Sequence, residues 1–182
     1  MVIWISAGVA VILALVFFSY YNKFVVLKQR IENSRSQIDV QMKKRADLIP
    51  NLVNIVKGYA KHERTVFNEV TKARTSFMNA KNFDSKVKAN SKIQSALKGV
   101  FAVAEGYPEL KASANFLHLQ QETSSIEDKI AYARQFFNDS IMNYNNTTKV
   151  IPGKWFANLY KVKEVKYLEI PEEEKVVPAI KF

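Results

Sequence analysis

The run IENSRSQIDVQMKKRADLIPNLVNIVKGY, residues 31–59, decides the fold. Ile31, Ile38, Met42, Ile49, Leu52, Val56 and Tyr59 recur at intervals of three, four and seven. Such intervals return side chains to one helix face, so the run predicts a long amphipathic helix with a heptad rhythm. Arg35 and Arg45 stand in the skipped apolar slots. Pro50 lies inside the pattern. Its missing N–H leaves the Ala46 carbonyl without a helical partner and predicts a bend. Gly58 predicts the stop, as the residue just past the last turn.

Upstream, residues 1–22 carry no charged side chain and are mostly Val, Ile, Leu, Ala and Phe. At about 1.5 Å per residue, a helix of that length crosses the roughly 30 Å hydrocarbon core of a bilayer. Trp4 at one end and Tyr20 and Tyr21 at the other are placed as interfacial aromatics. A cleaved signal peptide needs basic residues before the apolar run and small ones after it. Here none of the former precede, and Phe17, Phe18, Tyr20 and Tyr21 follow. An uncleaved anchor is expected, continuous with the heptad helix. Lys23, Lys28, Arg30 and Arg35 come directly after it. The positive-inside rule then puts the N-terminus outside and the folded part in the cytoplasm of a cell-membrane protein.

Downstream, Val66, Val70, Ala73 and Phe77 mark a second helix, and Val87, Ile93, Leu97, Val100 and Phe101 a third. Asn82-Phe83-Asp84-Ser85 reads as the turn between them, with Asp84 or Ser85 as N-cap. Gly106 and Pro108 end the third helix. Phe116, Leu119, Thr123, Ile126, Ile130, Ala133, Phe137 and Tyr144 mark a last helix from Pro108 to about Lys149. No linker composition divides these helices, so residues 23–152 are expected to form one unit. In residues 153–182, Trp155, Phe156, Leu159 and Tyr160 interleave with Lys154, Lys161, Lys163 and Lys166. Pro171, Glu172–Glu174 and Pro178 follow. This reads as an aromatic-basic and then acidic tail, extended and without a helix.

Composition narrows the function. The 182 residues hold 27 Lys and Arg against 17 Asp and Glu, a net charge of +10, and no cysteine. Disulfides, thiolate metal sites and cysteine nucleophiles are therefore excluded. Five glycines and five prolines are too few turn residues for a β-sandwich. His62-Glu63 is followed by Arg64 and lacks the second histidine of a metalloprotease helix. Glu122, Glu127 and Asp128 lie close on the last helix, but acid–base work needs a cleft that shifts one pKa. They read as a solvated or ion-paired face. No enzyme activity, metal or cofactor is expected. Lys81, Lys86, Lys88, Lys92 and Lys98 make the third helix basic. No nucleic-acid motif accompanies them, so they read as a solvated face, or else as a surface for anionic lipid or an acidic partner, which a membrane-fixed chain meets before DNA.

Several strings closely resemble the LemA family. They are Tyr21-Asn22 to Arg30, Asp39-Val40-Gln41, Lys44 to Val53 with its specific RADLIPNLV, and Gly58 to Glu63. Further matches are Ala73-Arg74, Tyr107 to Lys111, Leu119-Gln120, Glu127, Ala133-Arg134, Asn138 and Tyr144-Asn145. The resemblance spans about residues 20–152, with Phe137 where the family usually has Tyr. It implies an all-α, membrane-anchored protein of bacteria or archaea whose anchor continues into an up-and-down four-helix bundle of long antiparallel helices. It implies no established enzyme activity. It also implies a gene that often neighbours that of a membrane metalloprotease, and a role of some members in building intracellular membranes.

Two expectations concern how the helices meet. If the first and last are antiparallel, with Ala60 opposite Pro108, facing positions sum to about 168. Arg45 then faces the region of Glu122, and Arg134, with Asn138 one turn on, lies near Asp39. Buried charges cost stability unless paired, so these read as polar pairs that set register. The second expectation comes from length. The two long helices reach about 58 and 63 Å, while the two middle ones reach only about 27 to 32 Å. Phe24, Leu27, Ile31, Ile38, Phe137, Ile141 and Tyr144 would then stay uncovered near the membrane. A wide apolar surface marks an interface, so packing of neighbouring copies is expected there. Trp155, Phe156 and Tyr160 would rest in the headgroups. The alternative is a tail folded back over that surface within one chain. The expected function is a non-catalytic scaffold that self-associates and organises the membrane or a membrane protease. The alternative is a monomeric lipid- or regulator-binding module.

Overall fold

The computed structural model describes residues 1–169. Among them every regular element is helical: α1 (Val2–Tyr59), α2 (Arg64–Met78), α3 (Phe83–Glu105), α4 (Pro108–Lys111), α5 (Ala114–Lys149) and α6 (Gly153–Leu159). Residues 1–19 of α1 are exposed, and this part is long and apolar enough to cross a membrane. The helices form two compact units, and the boundary between them cuts α1 and α5. One, the exit unit, holds Met1–Ser36 and Ala133–Leu168; the other, the bundle unit, holds Gln37–Tyr132. The single unit expected over residues 23–152 thus divides. The reason is length: α2 and α3 have 15 and 23 residues, against 58 and 36 for α1 and α5.

The bundle unit is four helices around an apolar core. Ile38, Met42, Ile49, Leu52 and Val56 of α1 are all buried, as the heptad rhythm predicts, while Tyr59 is exposed. Val70 and Phe77 of α2, Ile93 and Val100 of α3, and Phe116 and Ile126 of α5 complete the core. Lys57 lies over the Phe67 ring and Arg74 donates to the Ala46 carbonyl, so α1 and α2 run antiparallel. Asp39 meets Lys86 and Arg45 meets Asn90, so α3 runs parallel to α1. Phe101 meets Phe116 and Gln94 meets Glu127, which turns α5 back again.

The ends of the helices correct several expectations. Asn82, not Asp84 or Ser85, caps α3: its side chain accepts from the Ser85 N–H at 2.8 Å, and Ser85 Oγ accepts from the Asn82 N–H. Gly58 lies within the last turn of α1 rather than beyond it, and no glycine adopts a positive φ. Gly106 caps α3 in the right-handed region. α1 continues through Pro50 as one helix, as expected. The helix expected from Pro108 onward is interrupted at Ala112 and Ser113, so α4 is a separate turn with Pro108 at its start.

Candidate functional site

In the exit unit α1 and α5 run antiparallel. Phe24 meets Tyr144 with ring centroids 6.3 Å apart, and Arg30 lies over Phe136 at 5.1 Å. These positions sum to 168 and 166, the register expected. The apolar residues of this pair are not left for a second copy. Phe24, Ile31, Phe137, Ile141 and Tyr144 are at most 6% exposed within the single chain, and Leu27 is half-buried. Ile38, in the bundle unit, is fully buried. These residues are therefore covered within the chain rather than left exposed as expected. Ser34, rather than Arg35, fills the buried slot after Ile31, with its hydroxyl donated to the Ile31 carbonyl.

The cover is the chain's own continuation past α5. Gly153 starts α6 hard against the end of α5: a Cβ there would lie 2.1 Å from the Thr147 carbonyl oxygen. Only glycine fits that approach. Phe156 and Tyr160, one turn apart, then meet aromatic residues of α1. Tyr20 stacks on Phe156 at 4.7 Å and 11°. Tyr160 meets Phe17, Tyr21 and Phe24 edge-on at 5.2, 5.7 and 6.1 Å. The Tyr160 hydroxyl donates to the Phe17 carbonyl at 2.7 Å. Phe17, Tyr20, Tyr21 and Phe24 are spaced i, i+3, i+4, i+7, which is one helix face. Gly153, Phe156, Ala157 and Tyr160 repeat the same spacing. Each aromatic pair of this kind adds about 0.5–1.5 kcal/mol beyond its buried area.

Tyr20, Phe156 and Tyr160, expected in the headgroups, thus serve this clasp. Trp155 and Trp4 stay exposed. Burial pushes the Tyr144 phenol above its usual pKa range, and that of Tyr160 moves the same way. The segment expected to lack a helix contains one because Gly153 permits the close turn.

Beyond α6 the chain reverses at Lys161, whose φ of 55° lies in the left-handed region. It then runs back along α5, held by two asparagines. Asn145 Oδ1 accepts from the Val165 N–H at 2.9 Å, and its Nδ2 donates to the Val165 carbonyl at 2.8 Å. Asn138 does the same with Leu168, at 2.9 and 3.2 Å. Seven helical residues separate the asparagines, about 10.5 Å. Three residues separate Val165 from Leu168, about 10 Å if extended. The two repeats match, so an extended strap fits the helix in register. A side-chain amide carries both a donor and an acceptor, and so completes a lone backbone segment as a neighbouring strand would.

Arg45 is 2% exposed; it donates to Asn90 Oδ1 at 3.4 Å and lies 4.0 Å from Glu127. Glu122 is exposed, and the acidic partner, Glu127, lies about one and a half turns further along α5 than expected. Asp39 takes both its contacts from Lys86, at 2.6 and 2.8 Å. Arg134 is half-buried, and Asn138 holds the strap. Sequence reasoning missed Asn145 and the clasp face. Their signals were the seven-residue spacing of Asn138 and Asn145, and the i, i+3, i+4, i+7 aromatics. Pro171, Glu172–Glu174 and Pro178 lie outside the described residues. Among the described residues no group of three or more His, Asp or Glu is placed to hold a metal.

The LemA family model matches residues 34–182, so the match continues through the tail that the resemblance by motif left out. The magnetosome protein MamQ of Magnetospirillum gryphiswaldense is 24% identical over 173 residues, 81% of this chain and 64% of that protein. MamQ 2 of Paramagnetospirillum magneticum is 24% identical over 175 residues, 82% of this chain and 64% of that protein. The protein LemA of Metamycoplasma hominis is 30% identical over 125 residues, 68% and 54% of the two chains. The chain spans less than two thirds of the length of these relatives. With most of its length inside the family model, the chain belongs to the LemA family.

Proposed function

We propose that the chain is a single-pass, non-catalytic membrane adaptor. The start of α1 anchors it, the N-terminus lies outside, and the folded part works in the cytoplasm as individual copies that hold a membrane protein partner. The observation that supports this reading is the covered apolar face of the exit unit. The relatives named for the magnetosome support a role at an organised membrane, and a membrane metalloprotease is the partner to look for first. Crosslinking in native membranes, followed by identification of the captured protein and size measurement in mild detergent, tests it. A heterologous membrane protein on a monomer-sized chain is expected. A large uniform particle of this chain alone would overturn it.

The second reading is a self-associating scaffold. It is favoured by large apolar side chains of the bundle unit that stay exposed, Val40 at 51% and Tyr132 at 71%. In that reading Tyr132→Glu dissolves the particle and keeps its helix content.

A further inference from the structure

A cavity of about 490 Å³ opens in the exit unit between α1 and the chain that follows α6. Along α1 its lining passes from Tyr21 and Phe24 to Lys28. Tyr21 stands one residue before the end of the uncharged run 1–22, and Lys28 lies seven residues on from it, about 10 Å. The lining therefore turns from aromatic to cationic over the depth of a headgroup, just where the apolar helix ends. Lys161 and Lys163 line it from the strap. Its one carboxylate, Glu164, is held by Lys149 at 3.0 Å. Three ammonium groups thus face one carboxylate that already has a cation. Lys161 adopts its left-handed backbone, a conformation disfavoured for a residue with a Cβ. Uncommon backbone of this kind clusters at ligand sites.

We infer that this cavity binds one anionic phospholipid of the bilayer that holds α1, its phosphate among Lys28, Lys161 and Lys163 and its glycerol end against Tyr21 and Phe24. The volume lies within the range of small-ligand sites. The anionic headgroup follows from the charge, and the membrane source from the place on α1. Juxtamembrane lysines each strengthen attraction to anionic lipid several-fold, so removing three lowers affinity at least tenfold. The inference rests on α1 being a membrane span.

The full chain is purified in mild detergent and mixed with equal phosphatidylglycerol and phosphatidylcholine, and retained lipid is counted by native mass spectrometry. One phosphatidylglycerol per chain is expected. Lys28→Gln with Lys161→Gly and Lys163→Gln should lose it at least tenfold, with unchanged circular dichroism. Lys88→Gln with Lys92→Gln and Lys98→Gln, which removes the same charge from α3, should keep it. Equal retention of both lipids, or equal loss in the two triple variants, overturns the inference. So does displacement by millimolar inorganic phosphate, which would make the site one for a free anion. A carbonate wash of membranes separates the two readings. A chain that washes off ends both the anchor and the lipid site, whereas an integral chain without lipid preference ends the lipid site alone.

Discussion

The bundle unit and the exit unit share two helices and cover them by different means. In the bundle unit, α2 and α3 lay whole apolar faces on the core, and side-chain contacts between helices only tune the register. In the exit unit no further long helix exists. A seven-residue helix, α6, and an extended strap cover the pair instead. A helix satisfies its own backbone, so it covers a core at no polar cost. An extended segment does not, and needs a partner for its N–H and C=O groups. Asn138 and Asn145 supply that partner. Apolar area is thus enough for one unit, while the other depends on one glycine, an aromatic clasp and two amides.

A series of substitutions probes that contrast. The largest effect is expected from a charge in either core. Phe137→Glu in the exit unit or Ile38→Glu in the bundle unit should cost on the order of 4 kcal/mol, read by chemical denaturation in detergent. Retained stability with loss of assemblies would mean that these residues face other copies after all. Next is Gly153→Val, whose Cβ meets the Thr147 carbonyl. It should cost about 2–3 kcal/mol and release α6, seen as proteolysis between Lys154 and Lys163 with the bundle unit left protected. Third, Asn145→Ala should cost about 1–3 kcal/mol by stranding the Val165 N–H and carbonyl. Asn138→Ala, with a longer bond and a more exposed side chain, should cost less. The comparison of the two melting curves gives the order.

The smallest concerns the buried charge. Arg45→Met strands Asn90 Oδ1, at about 1–3 kcal/mol. Glu127, whose side chain is 46% exposed, can turn to water. The coupling of Arg45 to Glu127 in a double-mutant cycle with Glu127→Gln should therefore stay below about 1 kcal/mol. A coupling of several kcal/mol would make the pair a second determinant of register.

Much of the bundle was legible in the sequence. Apolar periodicity reports burial directly, and Ile38 to Val56, Val70 to Phe77 and Phe116 to Ile130 are buried as their spacing predicts. The antiparallel register followed from setting Ala60 opposite Pro108, as the pairs Phe24–Tyr144 and Arg30–Phe136 show. The exit unit was harder to read. Its cover carries no periodic run long enough to signal a helix, and Gly153 matters for the backbone it approaches, which only the fold supplies. Val162, Val165 and Leu168 do recur every third residue, and Asn138 and Asn145 every seventh. Neither interval means anything alone. They become a signal only when one segment is laid beside the other, since about 10 Å separates both pairs. Arg45, expected among core positions, is buried, while Asp39 stays partly exposed. Their partners lie on α3, Asn90 and Lys86, because the third helix packs beside the first.

The chain closes its own exit unit with an amide-held strap. Residue-resolved amide hydrogen exchange on the full chain, diluted in detergent, tests it most directly. The Val165 and Leu168 amides should exchange at least tenfold more slowly than those of Lys166 and Tyr167, and Asn145→Ala should release Val165. Uniform fast exchange from Val162 to Leu168, or protection that vanishes on dilution, would contradict it.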